Sequence, residues 1–265
     1  MASTETAAAQ VPLFGREDEP AFDASLTGLI RMPLDGTAWV DHLPGWVVAG
    51  HQTLFDALEA GVPWRSEERR MYDRTVPTPR LFAFHDDGTP APHPAVDAMG
   101  QALSAHYGVP LDHRSYALYR NGRDSVAFHR DRELRDRPWS LVAIVTLGGP
   151  RTFRLRPIDP ARRRGQETTR GFRVGWGDLL VMGGTCQRNW EHGVPKTAAA
   201  PPRMAVMFRH DLAAIDLTAA RRDRSPAPGT PPAPQASPQL SRRRRPSRRV
   251  SPPGSDAPSL PFPAR

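Results

Sequence analysis

Residues 141–156 read LVAIVTLGGPRTFRLR, and this stretch decides the fold class. Leu141–Leu147 is a short apolar run rich in β-branched residues, which reads as a strand. Gly148-Gly149-Pro150 then punctuates the chain as a turn. Arg151–Arg156 alternates polar and apolar residues, which sets Phe153 and Leu155 on one face of a second strand. Working outward, Ser115–Arg120, Phe172–Val174, Leu179–Met182 and Arg203–Arg209 read as further strands between Gly, Pro and Asp turns. Such a series predicts an antiparallel β-sandwich or barrel. Two earlier segments, His51–Ala60 and Ala95–Tyr107, carry helical periodicity; in the second, Val96, Met99, Leu103 and Tyr107 recur at three- to four-residue steps. These helices are expected outside the sheets.

The flanks are different in texture. Residues 1–20 look loose, and a tail, 219–265, holds twelve of the 30 prolines and few large apolar groups. A chain of that composition cannot bury enough apolar surface to offset its ordering entropy, so disorder is expected. The tail also holds ten arginines and two acids, which is the whole of the +8 net charge; residues 1–218 are formally neutral. The basic cluster Arg242–Arg249 could touch nucleic acid without sequence preference, but the charge says little about the globular part. A single cysteine, Cys186, excludes a disulfide framework and a thiolate cluster within one chain. The first ten residues lack a basic start and a long apolar run, and no apolar stretch could span a bilayer. The expectation is a cytoplasmic protein with no membrane association.

Residues 121–133 read NGRDSVAFHRDRE. His129 and Asp131 are two apart, and on an extended strand such residues point the same way. An imidazole and a carboxylate suit a divalent metal. Two histidines and one carboxylate on one face of an octahedron leave three open positions, the arrangement of non-haem Fe(II) oxygenases. Of the nine histidines, His192 is the best placed third ligand, after the apolar strand Leu179–Met182, which could return beside the first ligand strand. In Arg203–Arg209 the two arginines are six apart and share a strand face with Ala205 and Met207. Guanidinium groups projecting into a barrel are costly without anions, and a dicarboxylate such as 2-oxoglutarate would supply two.

With these elements in order, the chain resembles the AlkB family of Fe(II)/2-oxoglutarate-dependent nucleic-acid dealkylating dioxygenases. The resemblance runs from about Trp64 to Arg209 through Tyr119–Gly122, His129–Glu133, the strand Leu141–Leu147 with Phe153-Arg154, Gly177–Met182, His192-Gly193 and Arg203 to Phe208-Arg209. It implies a mainly β domain with flanking helices, an α+β arrangement on a double-stranded β-helix (jelly roll), spanning 21–218 with a lid at about 61–84. It implies Fe(II) held by His129, Asp131 and His192. Arg209 would take the 2-oxoglutarate carboxylate next to the ketone, and Arg203 the distal one, helped by Tyr119. Trp64, Tyr72, Arg80 and Glu133 would meet the substrate. The implied reaction is oxidative demethylation of N-alkylated bases in DNA or RNA, single strands included, with O₂ as co-substrate and succinate, CO₂ and formaldehyde as products. The protein would act as a monomer. Two positions depart from the family pattern: Ala117 and Ala205 stand where relatives usually carry Asn, which puts the cosubstrate contact in question. Two other readings therefore stay open: an oxygenase of the same metal site acting on a small molecule or protein, and a nucleic-acid-binding module with weak or no turnover.

Overall fold

The computed structural model describes residues 19–71, 74–85, 88–164 and 169–210. The first 18 residues, the tail 219–265 and Tyr72 lie outside the described residues. In chain order the elements are β1 (Ala21–Phe22), β2 (Ile30–Pro33), β3 (Ala38–Leu43), β4 (Val47–Ala49), α1 (His51–Gly61), β5 (Arg65–Met71) and β6 (Arg74–Phe84). After α2 (Pro94–Tyr107) come β7 (His113–Tyr119), β8 (Val126–His129), β9 (Ser140–Gly148) and β10 (Arg151–Pro157). The chain continues through α3 (Pro160–Arg164), β11 (Arg170–Val174), β12 (Leu179–Gly184), α4 (Cys186–Asn189), β13 (Trp190–Val194) and β14 (Arg203–Arg209).

The result is a mixed α+β fold dominated by sheet. Eight strands form one sheet in the order β2-β3-β12-β9-β14-β7-β6-β5, and four form a second, β11-β10-β13-β8; β1 and β4 pair separately. All the pairings within the two main sheets are antiparallel.

The large sheet is covered on both sides, which is why its central strands read as continuous apolar runs. Leu141, Ala143, Val145 and Leu147 of β9, with Leu179 and Val181 of β12 and Met204, Val206 and Phe208 of β14, meet Leu54, Phe55 and Leu58 of α1 and Val96, Met99 and Leu103 of α2. The alternate residues, Val142, Ile144, Leu180, Met182, Ala205 and Met207, meet Phe153, Leu155, Trp190 and Val194 of the small sheet. Each Leu, Val, Ile, Phe or Met among them, fully withdrawn from water, contributes about 1.5–3 kcal/mol before the entropy cost. The helices are thus outside, as their periodicity predicts. α2 is started by the His93 ring accepting the Ala95 N–H at 3.1 Å, with Pro94 in its first turn, and stopped by Gly108 at φ 67°.

The turn at Gly148 holds φ at 78°. A Cβ there would lie 2.4 Å from the Pro202 carbonyl oxygen, so β9 and the approach to β14 touch through a bare backbone. The site lies on the far side of the same sheet, between it and the four-stranded one.

Candidate metal centre and cosubstrate cleft

β8 stops at His129, so Asp131 is not on a strand. The period-two argument pairs the right residues for the wrong reason. Asp131 opens the turn that follows: its carbonyl accepts the N–H groups of Leu134 and Arg135 at 3.0 and 2.9 Å. Its own N–H donates to Gln187 Oε1 at 2.9 Å. The partner of β8 also differs from the sequence expectation. Leu179–Met182 runs in the large sheet between β3 and β9. The short α4 then carries the chain across to β13, which pairs with β8 and sets His192 opposite His129.

The three side chains meet. His129 Nε2 lies 3.7 Å from Asp131 Oδ1, and His192 Nε2 lies 3.6 Å from the same oxygen. One ligand atom from each residue falls within 4.8 Å of the others. His129 Nδ1 sits 2.9 Å from the Ala127 carbonyl oxygen, which fixes the proton on Nδ1 and leaves the Nε2 lone pair for a metal. Phe153 stacks on His192, ring centroids 5.5 Å apart at 18°.

The electrostatics suit the same use. Burial alone would raise the Asp131 carboxyl, but the Arg209 guanidinium and the two imidazoles outweigh it and hold it well below the usual carboxylate range. Burial, reinforced by the neighbouring His129, pushes His192 down to about 3 despite the opposing Asp131. Burial also lowers His129. At neutral pH the set is therefore one carboxylate and two neutral imidazoles, the protonation state a divalent ion requires.

Beside the triad opens a cleft of about 1130 Å³. Arg209 reaches in from the end of β14, donating from Nε to Asp131 Oδ2 at 2.9 Å and from Nη1 to Ser115 Oγ. Arg203 projects from the same face of β14. It is 1 % exposed and donates from Nη2 to Thr146 Oγ1 at 3.1 Å, with Tyr119 as a further electrostatic partner. Its Nε and Nη1 have no hydrogen-bond partner among the described residues, and its guanidinium carbon lies 5.1 Å from the Tyr119 ring. A buried guanidinium with bare donors calls for an anion in the cleft. Ala205, the register partner of Ala117, lines the cleft between the two arginines.

Tyr119, Arg80, Arg203, Arg209 and Glu133 all line this cleft together with the triad. Trp64 does not: its indole N–H donates to Glu59 O at 2.9 Å and its ring abuts Tyr116 edge-on in the helix-side core. Sequence reasoning missed Ser115, Thr146 and Gln187, which hold Arg209, Arg203 and Asp131. It also missed Phe82 and Phe84, although Arg80, Phe82 and Phe84 alternate along β6 and so share a face. Phe84 stands at the rim, 69 % exposed, with Phe82 edge-on behind it at 4.7 Å.

A sequence model described as the 2OG-Fe(II) oxygenase superfamily matches residues 83–224. The chain belongs to that superfamily. As an Fe(II)/2-oxoglutarate-dependent dioxygenase, it uses Fe(II), 2-oxoglutarate and O₂, and the His129-Asp131-His192 set and the bare Arg203 fit the metal and the keto-diacid. Among the proteins it is similar to are several with AlkB in their names. The human protein named alpha-ketoglutarate-dependent dioxygenase alkB homolog 3 is 28 % identical over 196 residues, 68 % of each chain. The Arabidopsis thaliana protein named DNA oxidative demethylase ALKBH2 is 30 % identical over 191 residues, 59 % of this chain and 61 % of that one. The solved structure of OsALKBH1 aligns at a TM-score of 0.47 and 14 % identity, over 69 % of this chain and all of that one.

Proposed function

We propose that this dioxygenase removes alkyl groups oxidatively from N-alkylated bases in DNA or RNA, releasing succinate, CO₂ and formaldehyde. The observation that carries the reading is the wall of the cleft. Beside a metal triad and a bare, buried guanidinium, β6 presents Arg80, Phe82 and Phe84 in a line that ends in an exposed aromatic. Every base has a π-face to stack on such a platform, and arginines at the rim, among them Arg130 and Arg132, suit a phosphate backbone. The name of one relative, a DNA oxidative demethylase of Arabidopsis thaliana, agrees with DNA as a substrate.

Fe(II) bound at the triad supplies the oxidising chemistry, coupling decarboxylation of the keto-diacid to hydroxylation of a C–H bond on the substrate. The chain's own residues do the rest. Arg203 and the Tyr119 hydroxyl hold the distal carboxylate of 2-oxoglutarate, and Arg209 holds the one next to the ketone. The bond from Arg209 to Asp131 keeps both in register. Gln187 fixes the Asp131 backbone, and the Ala127 carbonyl fixes the His129 tautomer. Glu133, exposed at the cleft, attracts a base made cationic by alkylation. A base in a duplex must leave the stack to enter; one in a single strand need not.

We read the two facing sheets as a double-stranded β-helix, and the catalytic domain as residues 21–218 with 61–84 as its lid. The tail 219–265 would add sequence-independent contacts to nucleic acid. The test is succinate and formaldehyde production from DNA and RNA oligonucleotides carrying N-methylated bases, against unmethylated controls and candidate metabolites. Equal amounts of the two products from methylated oligonucleotides support the reading. Succinate formed only with a metabolite would move the activity to small molecules, and tight oligonucleotide binding without 2-oxoglutarate consumption would leave a binding module.

A further inference from the structure

Three guanidinium groups converge on the Tyr119 ring from three strands. Their central carbons lie 5.1 Å (Arg203, β14), 5.8 Å (Arg151, β10) and 6.0 Å (Arg80, β6) from its centroid. Among the described residues no carboxylate forms a salt bridge with any of them; Asp124, bonded to Arg120, offsets Arg151 at longer range, and Asp131 is engaged with Arg209. Gathering like charges in a low-dielectric corner is unfavourable unless something negative completes it.

The three are not equivalent. Arg151 is satisfied by backbone: its two terminal nitrogens donate to the carbonyls of Asn121, Asp124 and Pro195 at 3.2, 3.0 and 2.6 Å. It ties the chain before β8 to the chain after β13 and needs no ligand. Arg203 and Arg80 are unfinished. Arg203 leaves Nε and Nη1 bare, and Arg80 leaves a buried Nε bare while its Nη1 reaches the Tyr119 hydroxyl at 3.2 Å. A carboxylate has about four lone-pair sites, and a single fork fills only two.

We propose that Arg80 is a second anchor for the distal carboxylate of 2-oxoglutarate, which would bridge Arg203 and Arg80 across the Tyr119 hydroxyl. The proposal rests on the reading of Arg203 given above. It moves Arg80 from the nucleotide, where sequence resemblance puts it, to the cosubstrate. It also has a consequence for order of binding. Arg80 is on the strand that presents Phe82 and Phe84, so loading the keto-diacid pins the aromatic platform before a base arrives. Pinning also reaches the β8 side, because the Ser125 N–H donates to the Pro79 carbonyl at 2.6 Å.

The test uses the full chain with Fe(II) under anaerobic conditions, titrated with 2-oxoglutarate or with 2-oxopentanoate, which lacks the distal carboxylate. The charge-transfer absorption of the keto-acid complex reports binding. Arg80→Met is expected to weaken 2-oxoglutarate by about ten- to hundredfold, the value of a charge-assisted bond, and to leave 2-oxopentanoate unchanged. Arg80→Lys should fall between. In hydrogen exchange, 2-oxoglutarate should slow the amides of residues 79–84 in the wild type and not in Arg80→Met. Wild-type affinity for 2-oxoglutarate in Arg80→Met overturns the proposal, and so does an equal loss for both keto acids, which would place the effect on the metal or the fold. If the wild type itself binds both keto acids equally, the Arg203 reading fails first and takes this one with it.

Discussion

Replacing Arg203 by methionine should stabilise the empty protein and disable the loaded one. Arg203 is 1 % exposed, donates to Thr146 Oγ1 and leaves two N–H groups unmet. Without a cosubstrate its charge is offset only by a hydroxyl and the Tyr119 ring. Exchanging a poorly compensated buried ion for an apolar side chain of similar reach is neutral to stabilising by about 1–4 kcal/mol. Thr146 loses a donor, which gives back about 1 kcal/mol. The net is centred on about 1 kcal/mol of stabilisation, or roughly 2–4 °C in Tm for a domain of this size. With Fe(II) and 2-oxoglutarate at about 100 times Kd the order reverses, because binding adds about 2.7 kcal/mol to the wild type and nothing to the variant. Anaerobic thermal melts of both proteins, with and without the keto-diacid, decide the matter. A variant that melts below the wild type when empty, yet still gains stability from 2-oxoglutarate, would refute the reasoning.

Other consequences follow from the same geometry. In Gly193→Ala the new Cβ would meet Val126 O at 3.0 Å, Phe128 N at 3.1 Å and Ala127 C at 3.2 Å, all backbone of β8 and its start. β13 must then move off β8 and separate His192 from His129; Fe(II) affinity should drop by at least about tenfold, the scale of lost ligand orientation, and unchanged affinity in equilibrium dialysis would contradict this. His192 is depressed to about 3 in the fold, against about 6.5 in an unfolded chain. A depressed group contributes its stability above the unfolded value, so the metal-free protein should lose stability as pH falls from about 6.5 toward about 3, by at most about 1.4 kcal/mol per pH unit from this residue. Urea melts at pH 7 and pH 5 should show that slope, and His192→Gln should flatten it. Phe84→Ala should change stability by no more than about 0.5 kcal/mol, since the ring is 69 % exposed, while kcat/KM on a methylated oligonucleotide falls by about five- to hundredfold if a base stacks there.

The legible parts of the molecule were those where burial leaves a period. β9, β12 and β14 are covered on both faces, so their sequences run almost unbroken in apolar residues, and the two arginines of β14 stand out against that background. The helices show one apolar stripe each because only one face meets the sheet. The hairpin β5–β6 left no such trace. Arg65–Arg70 is polar throughout, and β5 is the outermost strand of the large sheet. Pairing across the sandwich was also hidden: nothing local says that the chain after β12 crosses through α4 before returning beside β8 as β13. At the site, His129, Asp131 and His192 were readable from residue type and order, yet Asp131 is held by the Gln187 side chain and a turn rather than by strand geometry. Trp64 shows the converse limit, since an aromatic beside arginines reads alike whether it faces a ligand or, as here, packs against a core.

The central claim is that His129, Asp131 and His192 gather a ferrous ion next to a keto-diacid held by arginines. Anaerobic titration of the protein with Fe(II) and 2-oxoglutarate, followed by the metal-to-ligand charge-transfer band, addresses the metal and the cosubstrate at once. The band should appear only when both are present, and should be lost in His129→Ala. Its absence from the wild type, or its persistence undiminished in the variant, would contradict the assignment.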